Sequence, residues 1–142
     1  MDQAQTLLKK FFGYENFRPG QEKIISYILA GEDCLGIMPT GAGKSICYQI
    51  PALIFSGVTI VISPLISLMK DQVDTLNEVG IPSTFINSSL TSSEYVQTIE
   101  NIVHNVYKII YVAPERLNSE TFINLLNTID ISMISIDEAH CV

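Results

Sequence analysis

Pro39-Thr40-Gly41-Ala42-Gly43-Lys44-Ser45 lies between a short apolar run at 34–38 and an amphipathic stretch that opens at Ile46. A Gly-rich turn that leaves a strand and opens a helix is the setting a phosphate-binding loop requires. Glycines let successive N–H groups turn inward on phosphate oxygens, the helix N-terminus adds partial positive charge, and a lysine adds a full one. Thr40, Gly41, Ala42, Gly43, Lys44 and Ser45 are therefore candidate nucleotide-binding residues, with Lys44 as the charge and Ser45 as a ligand for Mg2+. Met38 stands where the common form of this loop has its first glycine, so the strict pattern fails at one position. The competing reading is an ordinary glycine turn with an exposed lysine.

Outward from this loop, runs rich in Val and Ile recur at 34–38, 58–62, 83–86, 108–112 and 133–136, separated by longer amphipathic stretches. That alternation predicts βαβ units and an α/β fold, a parallel sheet of about five strands with helices on both faces. Val58-Thr59-Ile60-Val61-Ile62 is apolar without alternation, as expected when both sheet faces are covered. Helices are predicted over 21–30, after Pro19 and before Gly31, and over 65–79, stopped by Gly80 and Pro82. Thr91-Ser92-Ser93-Glu94 has capping-box spacing and starts a helix to about 103, and another spans 120–128. Pro51 is expected to kink the helix that follows the glycine loop.

Asp137-Glu138-Ala139-His140 closes the last apolar run. An acid ending a buried strand is costly unless it meets a cation. Asp137 is placed to hold the Mg2+ shared with Ser45, and Glu138 to orient the attacking water or accept its proton. Alone, such a pair would read as a solvated turn; the upstream loop favours the catalytic reading. His140 has two readings, a coupling residue or a packed surface histidine. In a doubly wound sheet ligands bind beyond the carboxyl ends of the strands. The glycine loop, Ser63-Pro64, Asn87-Ser88-Ser89, Ala113-Pro114-Glu115-Arg116 and Asp137-Glu138 each follow a predicted strand and should share one edge.

The 142 residues suit one domain, and 47% hydrophobic with 16% charged residues suits a chain with a substantial core. No apolar run approaches the roughly 20 residues of a membrane span, and the N-terminus shows no export signal. A soluble, cytoplasmic protein without a membrane partner is the expectation, nucleoid-associated if bacterial. Cys34, Cys47 and Cys141 are expected to be reduced, mostly buried thiols. A net charge of −7 argues against a nucleic-acid binder that relies on a broad basic surface.

From Phe12 to Val142 the chain resembles the RecQ family of superfamily 2 DNA helicases. The resemblance rests on Phe12-Gly13-Tyr14 with Phe17-Arg18-Pro19-Gly20-Gln21, the Met38-to-Ser45 loop, and Ser63-Pro64-Leu65-Ile66-Ser67-Leu68-Met69-Lys70-Asp71-Gln72. It continues through Tyr111-Val112-Ala113-Pro114-Glu115-Arg116-Leu117 and ends at Asp137-Glu138-Ala139-His140-Cys141. Met38 is what this family tends to have, whereas Ala42 replaces its usual third glycine. The resemblance implies a RecA-like P-loop NTPase domain that uses ATP and Mg2+. It implies that Tyr14 and Arg18 pack on adenine, that Gln21 bonds its edge, and that Ser63, Ser67, Lys70 and Arg116 follow the backbone of a DNA strand. Apart from the family, Arg18 and Gln21 read as the start of a solvated helix, and Leu65, Leu68, Met69 and Val73 as core-facing positions.

The same resemblance implies an incomplete N-terminal RecA-like domain over 1–142, with N-terminal helices and the adenine motif in 1–31 and the P-loop core in 32–142. A later strand, a second RecA-like domain with its arginine, a zinc module and a winged helix would then lie outside this stretch. Without that arginine a rate loss of ~10³–10⁵ leaves negligible turnover, and without the later strand an apolar slot favours aggregation. The function implied is ATP-dependent 3′ to 5′ DNA unwinding in recombination and repair, on single-stranded and partly duplex DNA. The alternatives are another superfamily 2 ATPase, such as an RNA helicase, and a catalytically inactive fragment that binds nucleotide or DNA.

Overall fold

The computed structural model of the chain describes residues 1–38 and 43–138. The readings of Thr40, Gly41, Ala42, His140 and Cys141 lie outside the described residues. The chain divides into two units, Met1–Ser56 and Gly57–Val142.

The first unit is helical. α1 (Asp2–Leu7) runs into a π-helical turn, Leu8–Phe12, which stops at Gly13. α2 (Gln21–Leu29) and α3 (Ile46–Ile54) follow. Ala4, Leu8, Ile25, Ile46 and Ile50 form the core, with Phe12, Phe17, Leu29 and Ile54 packed around it. α3 continues through Pro51, although a proline cannot donate the next helical hydrogen bond. Ile46 through Ala52 are all buried, and this packing holds the turn that local propensity disfavours.

The strand expected at 34–38 does not form. Leu35 and Ile37 are 77% and 88% exposed. Apolar side chains suit a strand, but its N–H and C=O groups need a neighbouring ladder, and among the described residues nothing pairs with this run. The sheet therefore has four strands rather than about five. Cys34 is exposed rather than buried, whereas Cys47 is a buried thiol that loss of hydration pushes up to about 11.

The second unit is an α/β layer structure. β1 (Val58–Ile62), α4 (Ile66–Glu78), β2 (Ser83–Ile86), α5 (Ser92–Val103) and β3 (Ile109–Val112) follow in order. A 3-10 turn (Pro114–Asn118), α6 (Glu120–Leu126) and β4 (Ile131–Ile136) complete it. The strands lie in the order β2-β3-β1-β4, all parallel. Ile60 pairs with Ile110 and with Ile134, so these three side chains share a face. On it, Ile60, Ile62, Ile86, Ile110 and Val112 pack with Ile102 of α5 and with Phe122 and Leu125 of α6. The other face takes Thr59, Val61, Ile109 and Tyr111, all fully buried, and α4 packs beside β2.

α5 starts at the expected capping box: the Thr91 hydroxyl accepts from the Glu94 N–H, and the Glu94 carboxylate accepts from the Thr91 N–H. Hydrogen bonding from Thr91 holds the Glu94 carboxyl below its ordinary value. β4 ends the sheet order, and Ile134 and Ile136, on the same face as Ile60 and Ile62, stand half exposed. No described helix is long and apolar enough to cross a membrane.

Candidate functional site

Because the four strands are parallel, every loop that follows one emerges at the same edge. Ser63-Pro64, Asn87-Ser88-Ser89, Ala113 through Arg116, and Asp137-Glu138 therefore gather beyond the carboxyl ends of β1, β2, β3 and β4. The sequence expectation of a shared edge holds for these four loops.

In the first unit, the described end of the glycine loop is held by the turn from Arg18 to Gln21. Gln21 is 3% exposed; its amide oxygen accepts from the Arg18 N–H at 2.7 Å, and its amide nitrogen donates to the Gly43 carbonyl at 2.9 Å. Gln21 opens α2 yet is buried, whereas Arg18 before it is exposed. Gly43 has φ +75, where only glycine is unstrained, and a Cβ there would sit 2.5 Å from the Gln21 amide nitrogen. Lys44 and Ser45 come next, with Ser45 as the first residue of the turn into α3. The Ser45 carbonyl accepts from the Gln49 N–H at 2.9 Å, while its hydroxyl makes no capping bond. A left-handed glycine, a lysine, a serine hydroxyl and the start of a nine-residue helix form a donor set that fits a magnesium triphosphate.

Arg18 also borders a cleft of about 670 Å³ with Lys23, Ile24, Tyr27, Leu35 and Ile37. No local motif announces this cleft, because its far wall is the run expected to be a strand. Tyr14 is 53% exposed and does not line it. The structure thus brings together Arg18, Gln21 and Gly43 and leaves Tyr14 on the surface.

In the second unit, the β1–β4 ladder runs one residue beyond the strand, with the Asp137 N–H donating to the Ile62 carbonyl at 2.8 Å. This fixes the backbone from which the Asp137 carboxylate projects. Asp137 Oδ1 accepts from the Glu138 N–H at 3.1 Å, and Glu138 has φ +54. A non-glycine residue there costs about 1–2 kcal/mol, so the turn carrying these carboxylates is strained. Both are half-buried, and β4 is an edge strand of alternating exposure. The burial cost inferred for an acid closing a covered strand is correspondingly smaller.

The four expected strand contacts differ among themselves. Ser63 is 1% exposed and its hydroxyl accepts from the Leu65 N–H, so it shapes the turn into α4. Ser67 is exposed on the first turn of α4. Lys70 is exposed and paired with Asp74 at 2.7 Å, which raises its pKa through that hydrogen bond and charge. Arg116 is half-buried; its guanidinium donates to the Asn87 carbonyl at 3.2 Å and lies over the Tyr95 ring, 5.1 Å from the centroid. Met69 and Val73 face the core as expected, but Leu65 and Leu68 are 39% and 47% exposed. Leu65 directly precedes α4 and Leu68 lies on its first turn, so the fully buried stripe begins only at Met69.

Residues 18–142 match the family model for DEAD/DEAH box helicases. The ATP-dependent DNA helicase RecQ of Bacillus subtilis is 52% identical over 143 residues, covering 100% of this chain and 24% of that protein. RecQ of Haemophilus influenzae is 50% identical over 139 residues, covering 98% and 22%. The chain thus spans about a quarter of the length of these curated relatives. The crystal structure of a hypothetical ATP-dependent RNA helicase from Sulfolobus tokodaii aligns over 99% of this chain and 42% of its own, with a TM-score of 0.74 at 23% identity, a likeness of fold. The resemblance read from the motifs therefore holds. Because the family match begins at Arg18, beside the Gln21 turn, and runs on through Asp137 and Glu138 to Val142, it takes in every strand-end loop above: the chain belongs to the DEAD/DEAH box helicase family.

Proposed function

We propose that this chain is the ATP-binding part of an ATP-dependent DNA helicase that unwinds DNA 3′ to 5′ in recombination and repair. The observation that supports it most is the joint placement of Arg18, Gln21 and Gly43, which ties a base-recognition motif to a phosphate loop. The name of the two relatives, ATP-dependent DNA helicase RecQ, supports the choice of DNA over RNA.

In this reading the loop through Gly43 and the start of α3 receive the phosphate oxygens, with Lys44 neutralising their charge. Ser45 and Asp137 are the proposed Mg2+ ligands. Glu138 orients the water that attacks the terminal phosphorus and accepts its proton, and the strained turn aims that carboxylate. Tyr14 and Arg18 pack on adenine, and Gln21, tied to the Gly43 carbonyl, bonds its edge. ATP supplies the phosphoanhydride bond whose cleavage drives the cycle. Ser67, Lys70 and Arg116 follow one DNA strand, and Ser63 acts through the turn it builds. With one broken ion pair at Lys70 and one pre-set guanidinium, this surface grips phosphates despite the acidic chain.

The test is nucleotide binding and hydrolysis, with and without single-stranded DNA, by this chain and by a form extended through any natural continuation. Lys44→Ala should abolish ATP binding in both, and DNA should stimulate hydrolysis in the extended form. Hydrolysis that survives Lys44→Ala would refute the assignment, and stimulation by RNA alone would shift it to an RNA helicase.

A further inference from the structure

We propose that Tyr95 is a positioning residue that aims the Arg116 guanidinium at the DNA backbone; this rests on the strand-contact reading of Arg116. Arginine side chains have several rotatable bonds, and a phosphate contact gains when the planar fork is set in advance. Arg116 is set at two points. One guanidinium nitrogen donates to the Asn87 carbonyl at 3.2 Å, and the guanidinium carbon lies 5.1 Å from the centre of the Tyr95 ring.

Both supports are themselves rigid. Asn87 is 1% exposed; its side-chain oxygen accepts from the Ser89 N–H and hydroxyl at 2.8 and 2.6 Å, and its amide reaches the Met69 sulfur at 3.5 Å. The loop carbonyl that Arg116 bonds is therefore fixed. Tyr95 lies on the first turn of α5, just past the Thr91–Glu94 capping box, and packs against the Ile60, Ile62 and Phe122 core. Its ring is buried enough to be fixed and exposed enough to serve as a shelf. Among the described residues no carboxylate lies within ion-pair distance of Arg116, in contrast to Lys70. The guanidinium thus keeps its charge for an external anion at the edge where the strand-end loops gather. A ring face orients a cation without neutralising it, which an aspartate would not do.

The experiment is fluorescence anisotropy of labelled oligothymidylate with this chain over a series of salt concentrations, with thermal unfolding of each variant alongside. Arg116→Ala should weaken binding and reduce the salt slope by about 0.7, the share of one phosphate on a single strand. Tyr95→Leu should weaken binding about two- to five-fold, Tyr95→Phe should bind as the unchanged chain does, and Tyr95→Leu should add nothing in the Arg116→Ala background. If Tyr95→Leu proves unfolded, Tyr95→Met fills the same apolar site without a ring and takes its place. Equal loss from Tyr95→Leu with and without Arg116, or equal loss from Tyr95→Phe and Tyr95→Leu, would overturn the positioning role while leaving the strand contact intact. An unchanged chain that does not bind, or Arg116→Ala binding normally, would instead overturn the strand contact itself.

Discussion

Val58-Thr59-Ile60-Val61-Ile62 and Cys34-Leu35-Gly36-Ile37-Met38 are two five-residue runs of comparable apolarity, yet one is a central strand and the other is exposed coil. β1 has β3 on one side and β4 on the other, and its residues from Thr59 onward are buried. The earlier run has no ladder among the described residues, and Leu35 and Ile37 face outward. Local preference for extended backbone is worth little until another strand takes up the peptide groups. The pair of runs teaches that burial follows from pairing, not from composition.

Point substitutions test that contrast, and unfolding in urea reads each of them. Ile60→Ala, at a site 1% exposed between two strands, should lower stability by about 2–5 kcal/mol. A loss under about 1 kcal/mol would mean that β1 is not the packed centre. In the same strand, the Thr59 hydroxyl is buried with no hydrogen-bond partner among the described residues. Thr59→Val keeps the shape and removes the orphaned group, so a gain of about 1 kcal/mol is expected. Destabilisation there would reveal a partner for the hydroxyl.

Exposure alone does not make a residue neutral, and Thr91 sharpens the point. Thr91→Ala removes an exposed hydroxyl that accepts from the Glu94 N–H, and should cost about 1 kcal/mol through fraying of α5. The reciprocal bond is pH-dependent. Since the folded Glu94 carboxyl titrates below its ordinary value, its contribution is present above the unfolded pKa and is lost as pH falls through the folded one. The protection factor of the Thr91 amide, its exchange corrected for the intrinsic dependence on pH, should fall in that acid window, and a flat profile would argue against the box. Smallest of all, Ile37→Ser should change stability by less than about 0.5 kcal/mol, and a larger loss would show that residue 37 is paired after all.

What the sequence disclosed follows the same line. The boundaries of β1 and β2 were readable because Val and Ile runs stop at Gly57, Ser63, Pro82 and Asn87, all local signals. The capping box was readable for the same reason. The fate of 34–38, the exposure of Leu65 and Leu68, and the stacking of Arg116 on Tyr95 depend on partners distant in sequence. No window of neighbouring residues contains them. The Gln21–Gly43 bond spans 22 positions, and only a family pattern brought the two motifs under one function.

The Gly43 site carries a double veto. Shortening residue 21 would clear room for a methyl group at 43, yet the backbone there would still sit in a dihedral region that side chains avoid. Selection for second-site suppressors of Gly43→Ala should therefore return true revertants and few compensating changes at 21. This loop can drift in sequence only by first abandoning its shape.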